Sequence, residues 1–369
     1  MARVKQIEFV DILHELPEII PLNCEKEFSQ QELDIFFCAL GFEDRCLTIP
    51  EQLAKIKNFK CKQAFYFEYS TNIEDNAVNK PRLIDIFQRF VDSWSSLQCD
   101  EEYFTKNLRG LLQQIVKAQQ KPKVIFDISV CSSKLLVSAI KILLEFDINL
   151  QILYSEAAIY HPTFEEFEKE LKKWTTEEHF GIARGVGKVI PSPEHPGAKK
   201  ENPNLIVAFL TFKPERTKSI ITDIDEALLT RPEKRIIWII GDPHMDEENK
   251  RKRKEMMRKI NNISEEFPAY EVCTFNYKET LKILDQIYNT KNLDMHINIS
   301  ALGSKMQTLG VAIFCYVRPD VSVYLATPKE YNPRQYSEGC KATWKINFGC
   351  LKEIKNILDT VGQLKIING

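Results

Sequence analysis

Two stretches of this chain read nearly alike at a fixed spacing, and that repeat limits what the chain can fold into. Residues 125–134 are IFDISVCSSK and residues 296–305 are HINISALGSK. Each is an apolar run ending in a small polar loop, closed by Ser-Lys and followed by a helix-like stretch. At an offset of 171, Asp127 matches Asn298, Ser129 matches Ser300, Ser132 matches Gly303, Ser133 matches Ser304 and Lys134 matches Lys305. A period this long means two copies of one domain rather than a solenoid of short repeats. Two copies in one chain can face each other across a pseudo-twofold axis, as two chains do in a homodimer.

The repeat extends well beyond those loops. FFCALGFEDRCLTI (36–49) aligns with VAFLTFKPERTKSII (207–221), and Arg45 and Arg216 again differ by 171, with Asp44 and Glu215 just before them. QAFYFEYSTNIEDN (63–76) aligns with RIIWIIGDPHMDEEN (235–249), and LQILYSEAAIYHP (150–162) with VSVYLATPKEYNP (321–333). Collinear blocks at one offset indicate an internal duplication.

Each copy alternates short β-branched or aromatic runs with helical patterns. Strands are expected near 35–40, 63–68, 123–128 and 150–154, then near 205–210, 235–240, 295–299 and 321–326. Helices are expected over 80–93, 103–119 and 133–145, then over 217–229, 247–263, 277–289 and 304–316. Near-continuous apolar strands alternating with helices are the pattern of a parallel sheet covered on both faces. The expected fold is therefore α/β: two tandem Rossmann-like domains with mostly parallel sheets, forming a pseudo-dimer. The boundaries read as 1–180 for the first domain, 181–204 for a linker rich in Gly and Pro with a short strand at 188–190, and 205–369 for the second. The tail is expected as a helix and a last strand packed on the second copy.

Composition removes several function classes. A chain of 369 residues with 44% apolar residues is long enough for two cores, and its net charge of −2 gives no general attraction to nucleic acid or anionic membrane. No stretch reaches the roughly 18 uninterrupted apolar residues of a membrane span. The first residues lack a signal-peptide core. The ten cysteines form no CxxC pair, so reduced thiols in a cytoplasmic protein are expected.

Ligands of open parallel sheets bind beyond the carboxyl ends of the strands, at loops feeding helix N-termini. Ser132-Ser133-Lys134 and Gly303-Ser304-Lys305 have that placement, where free backbone N–H groups, hydroxyls and an ammonium suit a phosphate. The competing reading is that serine caps the helix and lysine is solvated. Neither copy has P-loop spacing. Arg45 and Arg216 lie on loops at the same sheet edge, as candidates for a second phosphate or a base, or for pairing with neighbouring acids. Tyr154, Tyr324 and Trp238 end other strands and are candidates to stack on a purine or to fill the core. Asp242, His244 and Asp246 match no standard metal spacing, so no metal or cofactor is expected. The basic run 250–259 reads as a solvated helix face, and the glycines of 181–188 follow a charged helix rather than a strand.

NISALGSKMQTLGVAIFC followed by VYLATPKEYNPRQYSEG resembles CRISPR-associated Rossmann-fold (CARF) ligand sensors, above all their archaeal regulator branch. Asn298, Ser300, Gly303, Ser304 and Lys305 fit that family's fourth-strand loop, and Tyr331, Ser337, Glu338 and Gly339 fit its later segment. The first copy departs, with Asp127 for Asn, Ser132 for Gly and no Ser-Glu-Gly. The resemblance implies a cyclic or linear oligonucleotide messenger bound across the twofold axis, by Asn298, Ser300, Gly303, Ser304, Lys305, Asp127, Ser129, Ser132, Ser133, Lys134, Arg45 and Arg216. It implies a sensor in an antiviral defence system. No effector motif lies outside the repeats, so a partner effector protein is expected. Two alternatives stay open. One is a metal-independent ring-nuclease-type phosphodiesterase using Ser304, Lys305, Ser133 and Lys134, for which no general base is evident at the loops. The other is a ligand-free scaffold.

Overall fold

A computed structural model describes residues 3–29, 32–99, 103–173, 183–198, 201–229, 235–264, 267, 269–331 and 336–367. Two sheets organise the chain. The first runs, edge to edge, Ile19–Pro21, Ala342–Cys350, Asn149–Glu156, Lys123–Asp127, Glu32–Ala39, Lys60–Glu68 and Val91–Gln98. The second runs Ala269–Cys273, Ile236–Asp242, Asn204–Phe209, His296–Ser300, Ser322–Tyr331 and Ala183–Pro196. Five strands in each sheet are mutually parallel. Numbered in chain order within their own sheet, both sets of parallel strands read 3-2-1-4-5. That is the order of a doubly wound Rossmann-like sheet, with a switch point between strands one and four. The protein is α/β with two such sheets.

The sixth strand of each sheet is antiparallel and comes from the other half of the chain. Ala183–Pro196 follows the first five parallel strands in sequence yet pairs with Ser322–Tyr331 of the second sheet. Ala342–Cys350 follows the second five and pairs with Asn149–Glu156 of the first. Each half thus closes the open edge of the other. The expected boundaries at 180 and 205 do not coincide with the sheets: much of segment 181–204 is an edge strand, not a linker, and its described part is far longer than the short strand expected at 188–190. The tail differs as well. Leu351 N, opening helix Leu351–Leu358, donates to Ile148 O of the first half at 2.9 Å. Strand Leu364–Ile367 pairs with Arg3–Gln6.

The third strands, Val91–Gln98 and Ala269–Cys273, escape the sequence pattern. Both are edge strands that bury few of their side chains. VDSWSSLQ therefore carries no apolar alternation, and it starts directly after helix Lys80–Phe90, so the helix expected over 80–93 absorbs its first residues. Where a strand need not bury a face, period two disappears from the sequence.

Between the sheets, helices Ser133–Leu143 and Lys305–Val317 pack on each other. Both are almost wholly apolar past their first turn, and Met306 through Cys315 are all buried. Gly310 permits helix Tyr277–Lys291 to approach: a Cβ there would lie 2.7 Å from Tyr277 O. One apolar cluster runs through both halves, joining Leu136, Ile140 and Leu143 to Leu309, Ile313 and Phe314. Burying such helices against each other removes the apolar surface that either half would expose alone.

A fragment of residues 1–198 lacks Ala342–Cys350, which leaves Asn149–Glu156 with an open, apolar edge. It is expected to be aggregated or unfolded by circular dichroism and gel filtration, and to recover when co-expressed with 199–369. A folded, monomeric 1–198 fragment would contradict this account of the shared sheets.

Candidate functional site

The switch points of both sheets open into one cavity of about 630 Å³, within the usual range for small-ligand sites of about 300–1,000 Å³. Its wall includes Gly41, Phe42, Glu43 and Arg45 after the first strand of one sheet, and Leu210 through Lys213 with Arg216 after the first strand of the other. The loops after the fourth strands supply Val130 through Lys134 and Leu302 through Lys305. The packing of helices Ser133–Leu143 and Lys305–Val317 brings both Ser-Lys loops to this place. Ser133 Oγ lies 3.5 Å from Thr308 Oγ1 across that contact.

The serines do cap helices. Ser132 Oγ accepts from Leu135 N at 3.1 Å, and Ser304 Oγ accepts from Gln307 N at 3.1 Å while the Gln307 side chain accepts from Ser304 N at 3.0 Å. The cap is Ser132 in one loop and Ser304 in the other, so the repeat slips by one residue at the helix start. Lys305 is the first helical residue, and Lys134 is the second. Gly303 leaves room for Gln307: a Cβ would meet its Oε1 at 2.6 Å.

Arg45 and Arg216 line the cavity, but much of their donor capacity is committed. Arg45 Nη1 donates to Ser155 O at 2.6 Å. Its Nε and Nη2 donate to Glu43 at 3.2 and 2.5 Å, and Nη2 also donates to Ser337 Oγ at 2.9 Å. Burial opposes the charge, yet Glu43 and the phenols of Tyr154 and Tyr160 outweigh it and hold the guanidinium above its ordinary value. Arg216 Nε donates to Ala326 O at 2.9 Å. Ser155 and Ala326 are themselves 171 apart. Both arginines therefore strap the first loop to the fifth strand.

Four expected site residues do not reach the cavity. Asp127, Ser129, Asn298 and Ser300 are buried, at or just past the ends of the fourth strands. Ser129 N donates to Asp127 Oδ1 at 2.9 Å and its hydroxyl donates to the same oxygen, while Ser129 Oγ accepts from Ser155 N at 2.8 Å. Asn298 Nδ2 donates to Asn204 Oδ1 and His296 O, both at 3.1 Å. Ser129 and Asn298 thereby tie the fourth strands to their neighbours, Asp127 holds the turn at Ser129, and Ser300 Oγ is buried without a hydrogen-bond partner. Burial pushes the Asp127 carboxyl up to about 7. Of the expected aromatics, Tyr154 lines the cavity and Tyr324 and Trp238 are not in its wall.

Lys213, Arg253, His161, Tyr160 and Phe275, which the sequence did not single out, complete the site. Buried Lys213 holds its ammonium 4.1 Å over the Tyr336 ring. Burial, with Arg216 beside it, pushes that ammonium down to about 7. Burial likewise lowers Lys305, Arg45 and Arg216 adding to the effect and Glu43 opposing it. Arg253 reaches in from the basic helix, 4.1 Å over the Phe212 ring, and burial takes it down to about 10. Its neighbours on that helix pair with acids at the surface, as Lys252 does with Glu248 at 2.7 Å. His161 sits between Glu166, 2.8 Å from Nδ1, and Glu338, 3.2 Å from Nε2. Tyr154 and Tyr160 share a hydrogen bond of 2.9 Å, and Phe275 flanks Tyr154 at 6.2 Å and His244 at 5.4 Å. Ser337-Glu338, from the second copy's sequence, pairs with Ile159–Tyr160 and so stands on the first copy's loop. Among the described residues no His, Cys, Asp or Glu cluster could hold a metal ion. No helix there is long and apolar enough to cross a membrane.

No protein-family model matches the chain, and no curated protein matches its sequence. Among solved structures it is similar to a Type III CRISPR defence DNA nuclease activated by cyclic oligoadenylate, with 7% identity and a TM-score of 0.45. That match covers 79% of this chain and spans 65% of the nuclease's length. It is also similar to UDP-GlcNAc 2-epimerase from Methanocaldococcus jannaschii, with 11% identity and a TM-score of 0.24, over 89% of this chain and 99% of the enzyme.

Two outcomes test the electrostatics. Arg45→Ala leaves Glu43 buried without its cation and is expected to cost about 3–5 kcal/mol in urea unfolding, with part recovered in the Arg45→Ala/Glu43→Gln double variant. Asp127 binds its proton more tightly folded than unfolded, so stability falls as pH rises from 3.8 toward about 7. Asp127→Asn, which places the residue of position 298 there, should flatten that fall and raise the melting temperature at pH 8 more than at pH 4. An unchanged pH profile would remove Asp127 as the titrating group.

Proposed function

We propose that the protein is a nucleotide second-messenger sensor of a prokaryotic antiviral defence system, binding a cyclic or linear oligonucleotide and acting through a partner effector. The observation that carries this reading is the convergence of both Ser-Lys helix N-termini on one inter-lobe cavity. Lys213, Lys305 and Arg253 line that cavity together with Tyr154 and Tyr160. Cations and helix N-termini suit phosphates, and aromatic faces suit bases. Duplication of one unit accounts for the like strand orders and for the paired roles of Arg45 and Arg216. The CARF resemblance of residues 298–315 fits the same placement. An effector partner and a cytoplasmic setting belong to this reading.

A second reading is favoured by Lys213. Held near neutrality inside the cavity, Lys213 is in part a neutral amine, and that amine can accept a proton as the general base the loops lack. A ribose 2′-hydroxyl would then lose its proton to Lys213 and attack its own phosphate, with Lys305 stabilising the developing charge and the 5′-oxygen leaving.

Radiolabelled cyclic and linear oligoadenylates, assayed in parallel for retention and for cleavage, separate the two. Retention without product is expected, with Lys305→Ala weakening binding about tenfold or more, near 1.4 kcal/mol. Product that disappears in Lys213→Met would establish the phosphodiesterase instead. No retention of any nucleotide would leave a ligand-free scaffold.

A further inference from the structure

The loops after strands Ile236–Asp242 and Ala269–Cys273 meet in the cavity wall, where they bring Pro243, His244, Met245, Thr274 and Phe275. They are tied to each other, since Thr274 N donates to Asp242 O at 2.8 Å. They are tied to the second Ser-Lys loop as well. Ser304 Oγ donates to Thr274 O at 2.5 Å, and Gln307 Nε2 donates to Val272 O at 3.1 Å. Gly241 permits this approach, because a Cβ there would lie 2.7 Å from Thr274 Cγ2. A row of rings stands on that support. His244 stacks on Phe275, with ring centres 5.4 Å apart and planes 20° from parallel. Phe275 in turn meets Trp344 edge-on at 4.7 Å and Tyr154 at 6.2 Å, both on strands of the first sheet. These inner rings are anchored: Trp344 Nε1 donates to Glu156 at 3.1 Å, and buried Tyr154 shares its hydroxyl with Tyr160. His244 ends the row and is its exposed member, Phe275 and Trp344 being half-buried. A ring stacked on one side only, in the wall of a cavity, leaves a flat face for another ring.

We infer that His244, backed by Phe275, is a base-stacking shelf: one nucleobase of the ligand lies on the open face of the imidazole, and the phosphate beside it sits at the start of helix Lys305–Val317. This rests on the nucleotide reading above and names the subsite that takes a base. The spacing follows from the chain itself. Phe275 directly follows Thr274, whose carbonyl holds the Ser304 hydroxyl, so the shelf and the helix N-terminus are neighbours on one rigid support. A nucleotide presents its base and its phosphate one ribose apart, and this juxtaposition meets both at once. Stacking tolerates any base, because each has a π face, so the shelf decides where a base lies and not which base it is. The row also runs from the second lobe into the first sheet, so a base on His244 extends an inter-lobe contact.

Isothermal titration of the full chain with linear and cyclic adenylates and guanylates, from dimer to hexamer, selects the probe that binds most tightly. That probe is then remade with 2-aminopurine, and separately with an abasic ribose, at each position in turn. One position is expected to lose its 2-aminopurine fluorescence on binding. His244→Ala should abolish that quenching and weaken the intact probe about tenfold or more, while His244→Phe, which keeps a ring face, should retain both. Removing the base at that position should cost the wild type about tenfold and His244→Ala nothing further. Lys305→Ala should instead weaken intact and abasic probes alike. Phe275 is kept in every variant because it also packs against the first sheet. His244→Ala binding as tightly as the wild type, or His244→Phe binding as weakly as His244→Ala, would overturn the shelf and leave the nucleotide site standing. Failure of every probe to bind would overturn the nucleotide reading and the shelf with it.

Discussion

The reciprocal exchange of antiparallel edge strands is the constraint on which the rest of this structure depends. Ala183–Pro196 completes the second sheet and Ala342–Cys350 completes the first. Each carries its chain across to the other half, so the sheets cannot separate without losing backbone hydrogen bonds. The crossing fixes the distance between helices Ser133–Leu143 and Lys305–Val317, whose apolar faces then merge into one core. A cavity between lobes keeps its shape only when the lobes are held this way.

That geometry also explains why the loops carry straps. The loops after the first strands run from Ala39 to helix Arg45–Ala54 and from Phe209 to helix Pro214–Asp225. Arg45 and Arg216 tie them to the carbonyls of Ser155 and Ala326, on the fifth strands. Ser337 reaches from the second half of the sequence onto the first loop and bonds both Arg45 and Glu43. The buried Arg45–Glu43–Ser337 group is satisfied throughout, which is the condition for a buried ion pair to specify a conformation without a large cost. Lys213 and Lys305 line the same cavity, and Glu43 acts on the charge of both.

The repeated Ser-Lys loop located the cavity in the sequence, but its neighbours were harder to read. Ser132, Ser133, Lys134, Gly303, Ser304 and Lys305 all line it, as do Arg45 and Arg216. Asp127, Ser129, Asn298 and Ser300 belong to the same repeated motif yet are buried away from the cavity, since a strand and the loop beyond it look alike in a linear pattern. Lys213 was invisible because its partner in the repeat is Phe42, so the comparison that finds shared residues passes over the ones that differ. Arg253 hid within a run of basic residues, most of which meet solvent. Its contact with Phe212 exists only because the helix Glu247–Asn261 packs against that loop.

By itself the sequence determined the fold class, the presence of two like sheets and the loops that line the cavity. Periodicity and repeat spacing are local properties, and buried parallel strands and capped helices write them plainly. Which edge each antiparallel strand completes was decided only by the tertiary structure, because pairing between strands far apart along the chain leaves no mark in either one. The same holds for charge. Glu43 and Lys213 are ordinary residues in ordinary loops until the packing of the two halves sets them, with Tyr336 between Phe42 and Lys213, in the wall of one cavity.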